Sequence, residues 1–275
     1  NPQALERFIE TGKQLGIDVE LIEKKDYARL AEFDALFIRK TTRVDDHTYR
    51  FAKKAESEGL VVIDDPSSIL RCTNKVYLAD LLKRRGLGMP ATEILYKDRP
   101  QELEQAGRRL GFPLVLKIPD GCFSRGVIKV ADAQALSAAA QELFEHSVLL
   151  LAQEYCYTEY DWRVGVLNGE ALYACQYFMS KGHWQIYNHK AMPGEVNGMC
   201  RAVPVDQAPP EVVIGDGLYG VDLKQAGDRV LVIEVNDNPN LDAGIEDAVL
   251  GDELYRRVLQ AFTQRLELKH RGQAW

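Results

Sequence analysis

Apolar and polar positions alternate along this chain in two rhythms. Over residues 2–15 the apolar Leu5, Phe8, Ile9 and Leu15 fall on one side of a helix. A strand is predicted over 19–22, then a short helix, a strand over 35–38, a helix over 45–58 and a strand over 60–63. Strand–helix alternation of this kind predicts a parallel sheet covered by helices. Such a layer ordinarily begins with a strand, so the leading helix raises the expectation that the natural chain extends upstream of Asn1. A helix over 74–85, closed by Gly86, leads into GMPATEIL, where Pro90 starts a new strand; a boundary is placed near Gly88. There follow a helix (100–110), strands over 113–117 and 127–130 joined by a glycine-bearing loop, a helix (133–144) and an apolar strand ending in AQEY. Four strands (162–167, 171–178, 218–223, 230–235) then suggest an antiparallel sheet. The helix 252–266, with Leu254, Val258, Phe262 and Leu266 in phase, closes the chain. The expected class is α/β and α+β: a partial Rossmann-like layer with its linking helix (1–87), an α+β lobe (88–152) and a second lobe (153–275).

One predicted strand breaks its own pattern. In VLVIEVNDNPN, residues 230–240, a β-branched run ends in carboxylates and amides. A repeat of two puts Val230, Val232, Glu234 and Asn236 on one face and Leu231, Ile233 and Val235 on the other. A carboxylate in a buried run is costly unless paired or metal-bound, and oxygen-only donors suit a hard cation such as Mg²⁺. Pro239 ends the strand by Asp237, and Asp237 and Asn238 read as an Asx-type turn. The preceding strand carries Asp222, and a hairpin turning at Gly227 brings it beside Glu234. Asp222, Glu234 and Asn236 thus form a predicted oxygen set on one face.

Composition narrows the field. The chain has 275 residues and a net charge of −7, with a pI near 5.4, which argues against a broad nucleic-acid surface but permits a local phosphate pocket. Five widely spaced cysteines without a CxxC pair argue against a disulfide framework or a zinc site, and five histidines include no HExxH. No apolar run reaches 18 residues and no signal-like stretch opens the chain, so a cytoplasmic location is expected. No GxGxxG follows the early strands, which disfavours a dinucleotide oxidoreductase.

Basic residues supply the complementary chemistry. In LVLKIPDGCFSRGVIKV, Lys117 ends an apolar strand, and Gly121, Ser124 and Gly126 punctuate the loop behind it. Glycines let backbone amides approach an anion, so this loop reads as a flap over phosphates, distinct from a Walker A loop. Lys75 begins its helix, where a cation opposes the helix dipole unless an anion is near. AQEYCYTEYDWRV places Asp161 and Arg163 on one strand face, and a guanidinium suits a carboxylate or acyl phosphate. Backbone groups of Glu154 and Tyr155 would suit an adenine edge.

These features together resemble the ATP-grasp ligases, most closely the RimK and glutathione synthetase branch of carboxylate–amine ligases. The resemblance is carried by the NK at Asn74, GMPAT, LKIPDGCFSRGV, QEY, DWR and the GVD…EVNDNPN pair, in order. GDGLYGVDLK with EVNDNPNLDAGIED further resembles a bacterial subgroup in which a RimK-like N-terminal domain precedes the ATP-grasp core. The resemblance implies ATP and Mg²⁺, or Mn²⁺ in its place. It puts Lys75 and Lys117 on phosphates, the flap Gly121–Gly126 above them, Glu154 and Tyr155 on adenine, and Asp161 on the nucleoside. Arg163 would meet the carboxylate and acyl phosphate, Asp222, Glu234 and Asn236 the metal. Asn188 matches an ATP-contacting asparagine seven residues after Lys181. The chain departs where Met179 replaces an arginine and where QIYNHKAMPG replaces an RSNLHRGG-like run; Lys190 and His189 would supply the lost charge. Only residues 211–214 remain where a full helix is expected before GDGLYG, which suggests a missing segment near Val213.

The expected activity joins a carboxylate to an amine through an acyl phosphate, on an amino acid, peptide or protein C-terminus. Its partners would be small-molecule or peptide substrates, without nucleic acid or membrane; homo-oligomerisation is left open. The alternatives are an ATP-grasp phosphotransferase and a non-catalytic nucleotide-binding module.

Overall fold

Asn1 caps the first helix, α1 (Pro2–Leu15), by accepting from the Ala4 amide, and Gly16 in the left-handed region ends it. The computed structural model describes residues 1–120, 126–180, 184–186, 199–209 and 216–273. Residues 19–22 form no ladder, contrary to the expected strand. Val19 instead packs back on α1, where a Cβ at Gly12 would lie 2.5 Å from its methyl carbon, and Leu21 is exposed. A 3₁₀ segment (Lys24–Glu32) leads to β1 (Ala35–Phe37), α2 (His47–Ser57) and β2 (Val61–Ile63), and the two strands pair in parallel.

The next helix, α3 (Pro66–Thr73), was absent from the pattern-based reading, yet its start is written in the sequence. Asp65 accepts from the Ser67 and Ser68 amides, and Pro66 fills the first turn, where its missing N–H costs nothing. Asn74 ends α3 and caps α4 (Lys75–Arg84), accepting from the Val76 and Tyr77 amides.

Beyond the linker come β3 (Thr92–Tyr96), α5 (Gln101–Leu110), β4 (Leu114–Lys117), β5 (Val127–Val130), α6 (Ala133–Leu143) and β6 (Leu149–Glu154). They form an antiparallel sheet in the order β3-β6-β4-β5. Leu114, Leu116, Leu150 and Ala152 pack against Leu136 and Ala140 of α6. The opposite face, carrying Val115, Lys117 and Gln153, is therefore left to a cavity.

The second sheet is antiparallel in the order β11-β10-β7-β8-β9, built from β7 (Tyr160–Leu167), β8 (Glu170–Phe178), β9 (Cys200–Val203), β10 (Leu218–Ala226) and β11 (Arg229–Asp237). The four-residue β9 was not foreseen. The expectations about residues 211–214 and a gap near Val213 lie outside the described residues. The last helix, α7 (Asp252–His270), packs Tyr255 and Phe262 with Phe8 of α1 and Ile63 of β2, so the front layer and the end of the chain share one core.

The strand β11 corrects the predicted faces. Asp222 pairs with Glu234 and Leu223 with Val232, so Ile233 is an extra residue, a bulge. Val232 and Val235 consequently share the core face with Val221 and Leu223, packed on Cys72 of α3 and on Leu78 and Leu82 of α4. Glu234 and Asn236, opposite Asp222 and Gly220, face the cavity. Val232 is thus not on the face of Glu234. Each buried aliphatic contributes about 1.5–3 kcal/mol, which strongly resists a one-residue slip. The linker adds a stitch, since the Val232 amide donates to the Gly88 carbonyl at 2.8 Å.

Candidate active site

A cavity of about 460 Å³ lies between the two sheets and the front layer. From the first lobe Lys117 reaches it at the end of β4; from α4, Lys75 places its Nζ 2.9 Å from Glu234 Oε1. Alternate residues of β7, β10 and β11 line the other wall. Arg163 donates from Nε and Nη2 to the two oxygens of Asp222, at 2.6 and 2.7 Å, and Asn236 Nδ2 donates to Asp222 Oδ2 at 3.2 Å. Lys224 Nζ lies 2.6 Å from Asp161 Oδ1. Asp161, Asp222 and Glu234 on this wall therefore each have a cation, as buried charges require.

The pairing is reflected in protonation. Burial pushes the Lys117 ammonium down to about 8, with Lys75 and Lys224 adding repulsion and Glu234 opposing it. Burial also raises the Asp222 carboxyl above the usual carboxylate range despite Arg163.

Nine sequence-predicted residues line this one cavity: Lys75, Lys117, Glu154, Tyr155, Asp161 and Arg163, and with them Asp222, Glu234 and Asn236. Gly126 is set back from it; its φ of 68° closes the β4–β5 hairpin, and a Cβ there would lie 2.9 Å from Ile118. Gly121, Ser124, Asn188 and Lys190 lie outside the described residues. The Glu154 amide is committed to the Ala91 carbonyl at 2.9 Å, so any contact of its backbone with a base comes from the carbonyl. Asp222, Glu234 and Asn236 offer two carboxylates and an amide oxygen, donors of the chemistry a hard divalent cation takes. Among the described residues, no three acid, histidine or cysteine side chains cluster as a ready metal cage.

Several cavity residues were missed. Arg39, just past β1, donates to Asn238 Oδ1 at 2.7 Å and to the Pro239 carbonyl at 2.8 Å. Thr42 donates to Asp237 Oδ2 at 2.5 Å. Asp237 is thus a buried strand residue held from the front layer, and its reading as a turn residue is corrected; Asn238, with a φ of 45°, lies just past the end of the strand. Trp184 also lines the cavity, its ring edge-on to Tyr155 at 5.9 Å, with Lys129 Nζ 4.4 Å from the Tyr155 ring.

Beneath this end Asp64 is 1% exposed, and its two oxygens find no hydrogen-bond partner of good geometry among the described residues. Burial and then Asp237 raise its carboxyl well above the usual range, and burial lifts Asp237 to about 6. A folded-state pKa above the unfolded one favours folding fully only below the unfolded pKa, near 4, and that contribution is lost as pH rises through the folded value. Asp64→Asn should therefore gain stability over the parent at pH 8, by about 1–3 kcal/mol, and lose that gain near pH 4. Urea unfolding at both pH values checks this; an equal effect at both would contradict it.

This arrangement, two lobes closing on a cavity with lysines on one wall and an acid–amide set on the other, defines an ATP-grasp protein. The sequence model described as "RimK-like ATP-grasp domain" matches residues 72–252, and the chain belongs to that family. It is 24% identical to a probable alpha-L-glutamate ligase of Marinomonas sp. (strain MWYL1), over 97% of this chain and 95% of that protein. A protein of the same name from Thioalkalivibrio sulfidiphilus (strain HL-EbGR7) is 27% identical, over 89% and 80%. In fold the chain matches the D-alanine–D-alanine ligase of Bacillus anthracis with a TM-score of 0.69 at 16% identity, covering 97% and 94% of the two chains. A RimK domain ATP-grasp protein from Sphaerobacter thermophilus DSM 20745 gives 0.65 at 16% identity, covering 94% of each. Among the described residues no helix is long and apolar enough to cross a membrane.

Proposed function

We propose that the chain is an ATP-dependent carboxylate–amine ligase that forms an amide bond through an acyl phosphate. The observation that carries this is the opposition of Lys75 and Lys117 to Asp222, Glu234 and Asn236 across one cavity, with Arg163 among them. The two lysines bind the ATP phosphates and offset charge on the group being transferred. Asp222, Glu234 and Asn236 hold Mg²⁺, or Mn²⁺, which when bound would draw charge from the phosphate oxygens. Glu154 and Tyr155 take the base and Asp161 the nucleoside. Asn188 and Lys190 add ATP contacts, and the flap Gly121–Gly126 excludes the water that would hydrolyse the intermediate.

The substrate carboxylate attacks the γ-phosphorus, ADP leaves, and the amine displaces phosphate from the acyl carbon. Arg163 orients the carboxylate and stabilises the oxyanion. Its Nε and Nη2 are held by Asp222, and its Nη1 makes no hydrogen bond among the described residues, so that edge is available to substrate. The names of the relatives make an amino acid, peptide or protein C-terminus the first substrate class to try. The divisions at 87/88 and 152/153 belong to the same reading: linking layer, phosphate-flap lobe, metal lobe.

ADP release across amino acids and peptides, singly and in pairs, tests the proposal, with hydroxylamine added to trap an acyl phosphate as the hydroxamate. ADP formation that yields a phosphorylated hydroxyl and no hydroxamate would make the chain a phosphotransferase. ATP binding without turnover on any pair would make it a binding module.

Lys117 adds a pH signature. With its ammonium near 8, about half the ligand-free protein is neutral there at pH 8. ATP phosphates favour the charged form, so ATP binding at pH 8.5 should take up protons, and affinity should fall as pH rises beyond 8. Calorimetry in two buffers of different ionisation enthalpy measures the uptake; identical heats at pH 8.5 would remove Lys117 from the phosphate site.

A further inference from the structure

We infer that Lys224 and Thr158 set Asp161 as an acceptor for sugar hydroxyls, so that a clamp on one carboxylate oxygen gives the chain its preference for a ribonucleotide over a deoxyribonucleotide. This rests on the reading above, in which the cavity takes ATP with Asp161 at the nucleoside.

The strands put the pair together. Asp222 pairs with Arg163 and Leu223 with Trp162, so continuing the register sets Lys224 opposite Asp161 on the cavity wall. Trp162 and Leu223 anchor the intervening rung in the core. Lys224 Nζ lies 2.6 Å from Asp161 Oδ1 and 2.7 Å from Thr158 Oγ1, and Thr158 Oγ1 donates to the same Oδ1 at 2.8 Å. The three groups close a triangle on a single oxygen.

That one-sidedness separates this rung from its neighbour. Arg163 engages both oxygens of Asp222, as a structural ion pair would. Asp161 gives Oδ1 to two donors, and Oδ2 has no hydrogen-bond partner among the described residues. Lys224 and Asp161 are 15% and 14% exposed, so an ammonium has been brought largely out of water to hold one oxygen of one carboxylate. An ionised carboxylate oxygen accepts O–H donors strongly, and the vicinal hydroxyls of ribose are such donors. A carboxylate pinned at Oδ1 presents Oδ2 in one direction and loses little freedom on binding. Lys224 and Thr158 are positioning residues in this scheme; only Asp161 touches the sugar.

Lys224 is also near enough to Lys117 to lower its ammonium pKa, which raises a direct role on phosphate as the rival. The two roles differ in what they do to deoxynucleotides. Calorimetric Kd values for ATP, 2′-deoxy-ATP and 3′-deoxy-ATP, with Mg²⁺ and no carboxylate substrate, are compared for the full chain and for Lys224→Met, Thr158→Val and Asp161→Asn. The full chain should prefer ATP over at least one deoxynucleotide by about tenfold or more, and Asp161→Asn should abolish that preference. Lys224→Met and Thr158→Val should reduce it to about threefold or less, with the deoxynucleotide Kd within about twofold of the parent. An equal loss for ATP and both deoxynucleotides would overturn the clamp in favour of a phosphate or structural role, and an unchanged preference in both variants would overturn it outright. If Lys224→Met does not fold, Thr158→Val, which keeps the side-chain shape, decides alone. A parent without preference, or an Asp161→Asn variant that retains it, would instead remove Asp161 from the nucleoside and the clamp with it.

Discussion

Glu234→Ala should lower ATP turnover on the order of 10³-fold, the scale seen when a preorganised electrostatic group is removed from an active site. Two effects add. The substitution removes one of three proposed metal donors, and it strips Lys75 of the carboxylate at 2.9 Å. Glu234 is also the foremost influence holding up the Lys117 ammonium, already near 8 through burial. Without it Lys117 should lose its proton at lower pH, so ATP affinity should begin to fall below pH 8. Steady-state ADP release and calorimetric ATP affinity at pH 7 and 8.5 separate the two effects. Turnover within about tenfold of the parent would remove Glu234 from the chemistry.

The second large effect concerns stability as well as activity. Arg163→Met should destabilise the fold by about 3 kcal/mol, because Asp222, 16% exposed, would be left buried without the guanidinium that takes both its oxygens. Exposed pairs such as Arg108 with Glu104 should contribute less than about 1 kcal/mol. Adding Asp222→Leu to Arg163→Met should restore most of the stability, since an apolar pair can replace a buried ion pair, while ligase activity stays absent. Urea unfolding of the parent and both variants, with ADP release alongside, distinguishes loss of fold from loss of chemistry. A single variant as stable as the parent would mean that solvent already screens Asp222.

What could be read beforehand follows from how local each signal is. The parallel pair β1–β2, the strands of the first lobe, the four long strands of the antiparallel second sheet and α7 announced themselves through runs and phases of apolar residues. Lys117, Glu234 and Asn236 were legible because polar groups ending an apolar strand need a reason. Arg163 and Asp222 were singled out separately, and their mutual hydrogen bonds emerged only when β7 and β10 were set side by side. Arg39, Thr42 and Asp237 stayed hidden for a related reason. Thr42 meets Asp237 across 195 positions and Arg39 meets Asn238 across 199, and no periodicity links such separations. Lys224 was passed over because a lysine late in a hairpin strand looks solvated until its neighbours are seen. The segment 19–22 failed in the opposite way: its composition suits a strand, but Val19 is engaged with α1 and Leu21 with solvent.

The single extra residue in β11 gives the site a parity. Between Val232, the last aliphatic before the bulge to face α4, and Glu234, the first donor, an ordinary strand would keep both side chains on the same side. Ile233 turns that even spacing into a crossing, so hydrocarbon is buried below and oxygen presented above on one continuous strand. Pairing the strand with Ile233 kept and the bulge removed would drive Glu234 and Asn236 toward the leucines of α4 and leave Val235 facing the lysines, exchanging core for site without altering any chemical group. In related chains, therefore, an odd count of residues between the last core valine and the first acid should mark a bulge at this point, and an even count an unbroken strand that reaches the same two faces.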